Sequence, residues 1–246
     1  MSNVRKVDAA LAAGLALLLS PMVRALPPEP ALSASVFVIS EIMYNPAAEV
    51  ASPDGQWFEV YNPLDESQSL AGVVVEIISS DGNTGSSYQF GEVGVPIVEP
   101  HGFFVLGANK ALALNGGIPV DYAYGVGVSL PKSGAAVRIL AGGLLIDEVL
   151  FGPESGLVVP QGVSLNLEPE GMDPDANDSP GHWCGSVVKV DDSPSQTLGT
   201  PGLVGHPCDT DGDGYDESSG DCDDAEPKIS PDAQEKCNGI DDNCNG

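Results

Sequence analysis

The sequence predicts an all-β fold, a sandwich of short strands, and three observations carry that prediction. The chain of 246 residues has 30 glycines and 21 prolines, so turns are frequent. Its apolar residues fall in short runs rich in β-branched and aromatic side chains rather than at helical spacing. Only 18% of the residues are charged while 42% are hydrophobic, enough for one sizeable core. Many short strands separated by turn signals read as a sandwich rather than as alternating strands and helices.

The elements follow in order. SVFVISEIMYNP predicts a strand of about eight residues closed by Asn45-Pro46. ASPDGQ is a turn, and WFEVYNP, Trp57 to Pro63, is a second strand, again closed by Asn-Pro. LAGVVVEIIS supplies a third, and after glycine-rich turns Gly102 to Leu106 supplies a fourth. NKALALN allows a short helical turn. AAVRIL and LLIDEVLF flank Gly142-Gly143, the clearest hairpin signal in the chain, because tight hairpin turns need the positive φ that glycine tolerates. VSLNLEP reads as the last strand. The count is at least seven.

The flanks differ from this body. The start carries Arg5 and Lys6, then the short apolar run LAAGLALLLSPMV, then Val23-Arg24-Ala25, the pattern of a secretion signal with cleavage after residue 25. A signal peptide over 1–25, a Pro-rich spacer over 26–35, a sandwich over 36–168, a turn-rich tail over 169–207 and an Asp/Cys-rich segment over 208–246 make up the expected organisation. The tail is expected to lie along the sandwich edge. No run is long enough to be a transmembrane segment. The net charge of −27 repels nucleic acid and anionic lipid and favours divalent cations.

All five cysteines lie between Cys184 and Cys244, where the chain has least core. In an oxidising compartment they are staples. Spacing alone leaves the pairing open. The expectation adopted is a Cys237–Cys244 bridge, since the six intervening residues include Gly239, and a Cys184–Cys208 bridge. Cys222 is then left as the odd thiol.

The densest chemistry lies in CDTDGDGYDESSGDCDDAEP. Carboxylates crowded this closely repel one another unless a cation neutralises them. DTDGDG places Asp209, Asp211 and Asp213 at the first, third and fifth positions of a calcium loop, Gly214 at the sharp turn and the Tyr215 carbonyl next. Glu217 stands at the ninth position, but Gly220 replaces the usual bidentate Glu at the twelfth, so Asp221, Asp223 or Asp224 must close the shell. Hard oxygen ligands suit Ca²⁺ rather than zinc or copper, and there is no Cys-x-x-Cys pair. The competing reading is an acidic tail without metal.

Two resemblances extend this reading. VISEIMYNP, DGQWFEVYNPLDESQSLAG, VEPHGFFVLGAN and LPKSGAAVRILAGGLLIDEVLFG occur in the order seen in lamin tail domains, and residues 36–152 resemble that family. Ser40, Val73 and His101-Gly102 depart from its common residues. The resemblance implies an immunoglobulin-like β-sandwich used as a binding or architectural module, without catalysis. Glu41 and Glu59 fall at its recurrent acidic positions, either as a cation site or, the favoured reading, as carboxylates hydrogen-bonded to backbone. Trp57 and Tyr61 read as packing residues. DTDGDGY, GDCDDAEP, PDAQEKCNG and IDDNCNG resemble the MopE-type metal-binding motif of bacterial surface proteins, with Asp242-Asn243 where that family more often has Asn-Asp.

The function expected is therefore that of an exported, non-catalytic, calcium-binding surface or extracellular protein of a bacterium, with an unknown extracellular partner. His101, His182 and His206 are the only histidines and none sits in a hydrolase or metalloprotease motif. The alternative is a fragment or accessory part of a larger exported hydrolase or adhesin.

Overall fold

The structure, a computed structural model, describes residues 36–246 apart from 80, 81, 126, 217 and 218. The expected signal peptide and spacer lie outside the described residues. Ala34–Gly246 forms one compact unit. No helix among the described residues is long and apolar enough to cross a membrane.

The described residues hold twelve strands: β1 (Val38–Met43), β2 (Trp57–Tyr61), β3 (Gln68–Ser69), β4 (Val74–Ser79), β5 (Thr84–Gln89), β6 (Ile97–Val98), β7 (Phe103–Gly107), β8 (Tyr122–Ala123), β9 (Ala135–Ala141), β10 (Leu144–Phe151), β11 (Leu165–Leu167) and β12 (Trp183–Gly185). One four-residue helix, α1 (Leu112–Asn115), forms where a helical turn was expected and ends on the left-handed Gly116. The seven expected strands are β1, β2, β4, β7, β9, β10 and β11. Glycine in left-handed geometry at both Gly142 and Gly143 closes the β9–β10 hairpin, as the sequence predicts.

A six-stranded sheet, in the order β12-β11-β1-β2-β7-β8, shares a core with a four-stranded sheet in the order β10-β9-β4-β5. Ile39, Ile42, Phe58 and Leu106 from the first meet Val75, Ile77, Val137, Ile139 and Phe151 from the second. The outer face of the smaller sheet is polar, with Glu76, Arg138 and Glu148 in cross-strand register and Arg138 paired to Glu148. That alternation is what a sheet with one solvated face requires.

The outer face of the larger sheet is covered instead. Met43, Trp57 and Val105 occupy it and pack with Ile118, Val120 and Val190 in a second apolar cluster. β1 is buried along its whole length. Between Ile39 and Glu41 its pairing with β2 is irregular, and this shift lets Ile39 and Ile42 both face the core although they are three residues apart. The cover is the 186–205 segment, a strap rather than an edge tail. Leu198 bridges Val163 and Lys189, and Ser193 and Ser195 donate to the Gly116 carbonyl. Trp183 lies just ahead of the segment in β12, its indole N–H donating to the Asn177 carbonyl.

Cys184–Cys208 is bridged as expected, which staples the two ends of the strap together. The other expected pairing is corrected: the second bridge is Cys222–Cys244, and Cys237 is the free, exposed thiol. The physical reason lies between Cys237 and Cys244. Asp242 is buried there and accepts hydrogen bonds from Lys236 N and Asn238 Nδ2, so this loop closes around a carboxylate and not around a disulfide. Alkylation of the native oxidised protein is expected to modify Cys237 alone, read by peptide mapping. Quantitative labelling of Cys222 under the same conditions would refute the pairing.

Candidate functional site

Glu41 and Glu59 are cross-strand partners on the covered face, each about 1% exposed. Ser164 Oγ donates to Glu41 Oε1 at 2.5 Å, Thr200 N to the same oxygen at 2.8 Å, and Thr200 Oγ1 to Oε2 at 3.2 Å. Ser40 Oγ donates to Glu59 Oε1 and Gly202 N to Oε2. Every carboxylate oxygen of the pair thus meets a protein donor, the favoured structural reading, and two of those donors are strap amides. Burial pushes Glu41 up to about 7, against the hydrogen bonds from Ser164 and Thr200 that lower it. Burial and then the neighbouring Glu41 charge push Glu59 well above the usual carboxylate range.

The acidic segment is built on the opposite principle. Its chain turns back on carboxylates, and three of them keep one buried oxygen unused. Asp209 accepts from Gly212 N at 2.7 Å and Gly214 N at 2.9 Å, winding the loop around the first ligand position. Gly212 and Gly214 both adopt positive φ, which a side chain would oppose. Asp211 Oδ1 accepts from Asp213 N, Asp213 Oδ1 from Tyr215 N, and Asp221 Oδ1 from Asp223 N. In all three residues the second oxygen, Oδ2, is buried and accepts no hydrogen bond among the described residues. Asp221 as a whole is only 5% exposed. Carboxylate oxygens of Asp209, Asp211 and Asp213 lie within 4.8 Å of one another. Burial, then the charges of Asp213, Asp221 and Asp209, push Asp211 above the usual range.

The remaining sequence candidates divide. Asp224 accepts from Thr210 N with both oxygens and ties the far side of the segment to the loop's start. Asp223 is exposed and its carbonyl caps the Glu226 amide. The Tyr215 hydroxyl bonds to Asp232, while its amide donates to Asp213 Oδ1. Glu217 lies outside the described residues. Asp221 is thus the residue that joins the group around Asp211.

A second loop repeats the spacing. In DDNCNG, Asp241, Asn243 and Asn245 stand at first, third and fifth positions, with Gly246 sixth. Asp241 accepts from Asn245 N and from Gly246 N at 2.8 Å, as Asp209 does from Gly214, and Gly246 has positive φ. IDDNCNG stands in the sequence reading only through its resemblance to the metal-binding motif, and its D-x-N-x-N-G spacing, with asparagines in place of carboxylates, is the signal that marks it as a second loop. The adjacent Asp242 is held below the usual range: burial raises it, but Asn238 and Lys236 outweigh that.

The histidines are engaged elsewhere. His101 pairs with Asp65, His182 with Glu168, and His206 Nδ1 with the Pro207 carbonyl.

Residues 221–246 match a family described as "Putative metal-binding motif", of the copper-binding MopE type. No curated protein matches the chain. A DUF4876 family protein from Bacteroides thetaiotaomicron VPI-5482 is similar in structure, with 12% identity over 70% of this chain and 72% of that one and a TM-score of 0.39.

Proposed function

We propose that this chain is an exported, non-catalytic calcium-binding protein of the cell surface or extracellular space. The two-sheet body is its binding or architectural module, of the immunoglobulin-like, lamin-tail kind that its sequence resembles. Residues 208–246 are an extension that calcium makes rigid. Asp209, Asp211, Asp213 and Asp221 hold the ion, with the Tyr215 carbonyl contributing and Asp223, Asp224 or Glu217 available to complete the shell. The observation that carries this reading is the set of buried, unpartnered oxygens on Asp211, Asp213 and Asp221. A buried carboxylate oxygen without a donor is costly, and a cation removes that cost together with the mutual repulsion.

Calcium is favoured over copper by donor chemistry. The clustered ligands are all carboxylate oxygens, whereas copper prefers imidazole and sulfur. Four of the five thiols are in disulfides, and each histidine has another partner. Disulfides and the motif match favour export. Non-catalysis rests on the absence of nucleophile–base and metal–histidine motifs from the sequence.

Calorimetric titration of the full oxidised protein with Ca²⁺, with Cu²⁺ as comparison, tests the proposal. A shell without the bidentate Glu is expected to bind Ca²⁺ with Kd on the order of 10⁻⁴ to 10⁻³ M. Chelation is expected to raise protease cleavage within 208–246 and leave the body intact. No heat at millimolar Ca²⁺, with cleavage indifferent to chelator, would leave the acidic-tail reading in its place.

A further inference from the structure

The strap is held over the larger sheet by a device independent of the metal segment. Its ends are stapled by Cys184–Cys208, and its middle is tied to two carboxyls that have no cation beside them. We propose that the Glu41–Glu59 pair is a proton-held latch, keeping the strap closed over the outer face of the six-stranded sheet and letting it open as the pair ionises.

The geometry of the pair is the basis. Like charges directly opposite on adjacent strands destabilise a sheet even in water. Here both side chains are buried, so two ionised carboxylates would face each other in a low dielectric. The groups around them offer no positive charge. Ser40, Ser164 and Thr200 present hydroxyls, which can donate or accept and therefore serve either protonation state. The Thr200 and Gly202 amides can only donate, so each needs an oxygen that stays in place. From the β7–β8 side the facing titratable group is Asp121, whose Oδ2 accepts from Val105 N and whose charge adds to the repulsion on Glu59. On the strap itself Lys189, Asp191 and Asp192 are exposed. At its end His206 is held by the Pro207 carbonyl and its Nε2 by Val187 N. No lysine, arginine or histidine forms an ion pair with either glutamate among the described residues.

The sign follows from burial. Both carboxyls are raised in the folded state, so the folded protein binds more protons than the unfolded chain. Their stabilisation is full below the ordinary carboxylate value and is lost as pH rises through the raised values of the folded pair, about 7 for Glu41. Opening hydrates the charges and uncovers Met43, Trp57, Val105, Ile118 and Val120. The disulfide keeps the strap's ends together, so closure on reacidification is expected to be complete.

The test is hydrogen exchange of the full oxidised protein, read on peptides covering 197–205 and divided by the intrinsic rate at each pH. Between about pH 6 and about pH 9, protection of the wild-type strap is expected to fall by up to about tenfold per pH unit for each carboxyl that ionises on opening. The E41Q/E59Q variant keeps an acceptor oxygen at each site and cannot ionise, so its protection is expected to stay flat. Flat wild-type protection, or an equal fall in the variant, overturns the latch. If the double variant does not fold, E59Q alone decides: with one ionisable carboxyl left, the fall is expected to be shallower than in wild type, and an equally steep fall refutes the proposal.

Discussion

Replacing Asp211 or Asp213 with alanine is expected to weaken calcium binding by on the order of tenfold or more, since each change removes both a ligand oxygen and a charge. The same change is expected to have the opposite effect without metal. Asp211 is raised by burial and by the charges of Asp213, Asp221 and Asp209, so its removal relieves repulsion in the apo loop. In chelator the D211A segment is expected to resist protease at least as well as wild type, while in calcium it is expected to resist less. Asp232→Ala is the control: that residue is exposed and serves the Tyr215 hydroxyl, and affinity is expected to change little. Ligand carboxylates must be ionised to bind, so affinity is also expected to drop as pH falls into the carboxylate range. Calorimetry with parallel proteolysis checks all of these outcomes. Wild-type affinity in both D211A and D213A would place the ion elsewhere.

Removing the Cys184–Cys208 bridge by a double serine substitution is expected to cost about 3 kcal/mol, the entropy of closing a loop of this size in the unfolded chain. The bridge encloses the whole strap, at a sequence separation of 24. The loss is therefore expected to appear first there, as early cleavage near the exposed Leu203 and Val204, before the two-sheet body unfolds. Denaturant unfolding, with the cleavage sites mapped, measures it. A midpoint within error of wild type would mean that the glutamate latch and the apolar cluster around Trp57 hold the strap without the staple.

A chain with 36 acidic residues and 9 basic ones has to stay compact, and its two ends do so differently. In the body, the buried Glu41 and Glu59 meet a hydrogen-bond donor at every oxygen and are raised by burial. Asp147 is raised by burial too, up to about 7. Its Oδ2 accepts from Ile39 N and Asn177 Nδ2, while its buried Oδ1 accepts no hydrogen bond among the described residues. In the C-terminal segment Asp211, Asp213 and Asp221 each keep a buried oxygen without a hydrogen bond among the described residues, an arrangement suited to a cation.

The strands that the sequence revealed are those with an apolar face to bury. β1, β2, β4, β7, β9 and β10 each combine β-branched or aromatic residues with a turn signal at the end, and local pattern was enough. β5 was passed over because TGSSYQ is polar; it exists as an edge strand through backbone pairing with β4. β3, β6 and β8 have two residues each, and a pair of residues carries no readable period. β12 forms because Leu165–Leu167 is available to pair with it, a non-local reason.

What the sequence determined by itself was local: the all-β class, the Gly142-Gly143 hairpin, and the aspartates at alternate positions around glycines that wrap a loop onto Asp209. These follow from backbone preferences and side-chain reach over a few residues. The tertiary structure alone decided which distant groups meet. It set Glu41 against Glu59, laid Thr200 and Gly202 over them, brought Asp221 to Asp211, and paired Cys222 with Cys244 instead of Cys237. Each of those meetings depends on burial and on chain closure across ten residues or more, and neither is encoded in any short stretch of sequence.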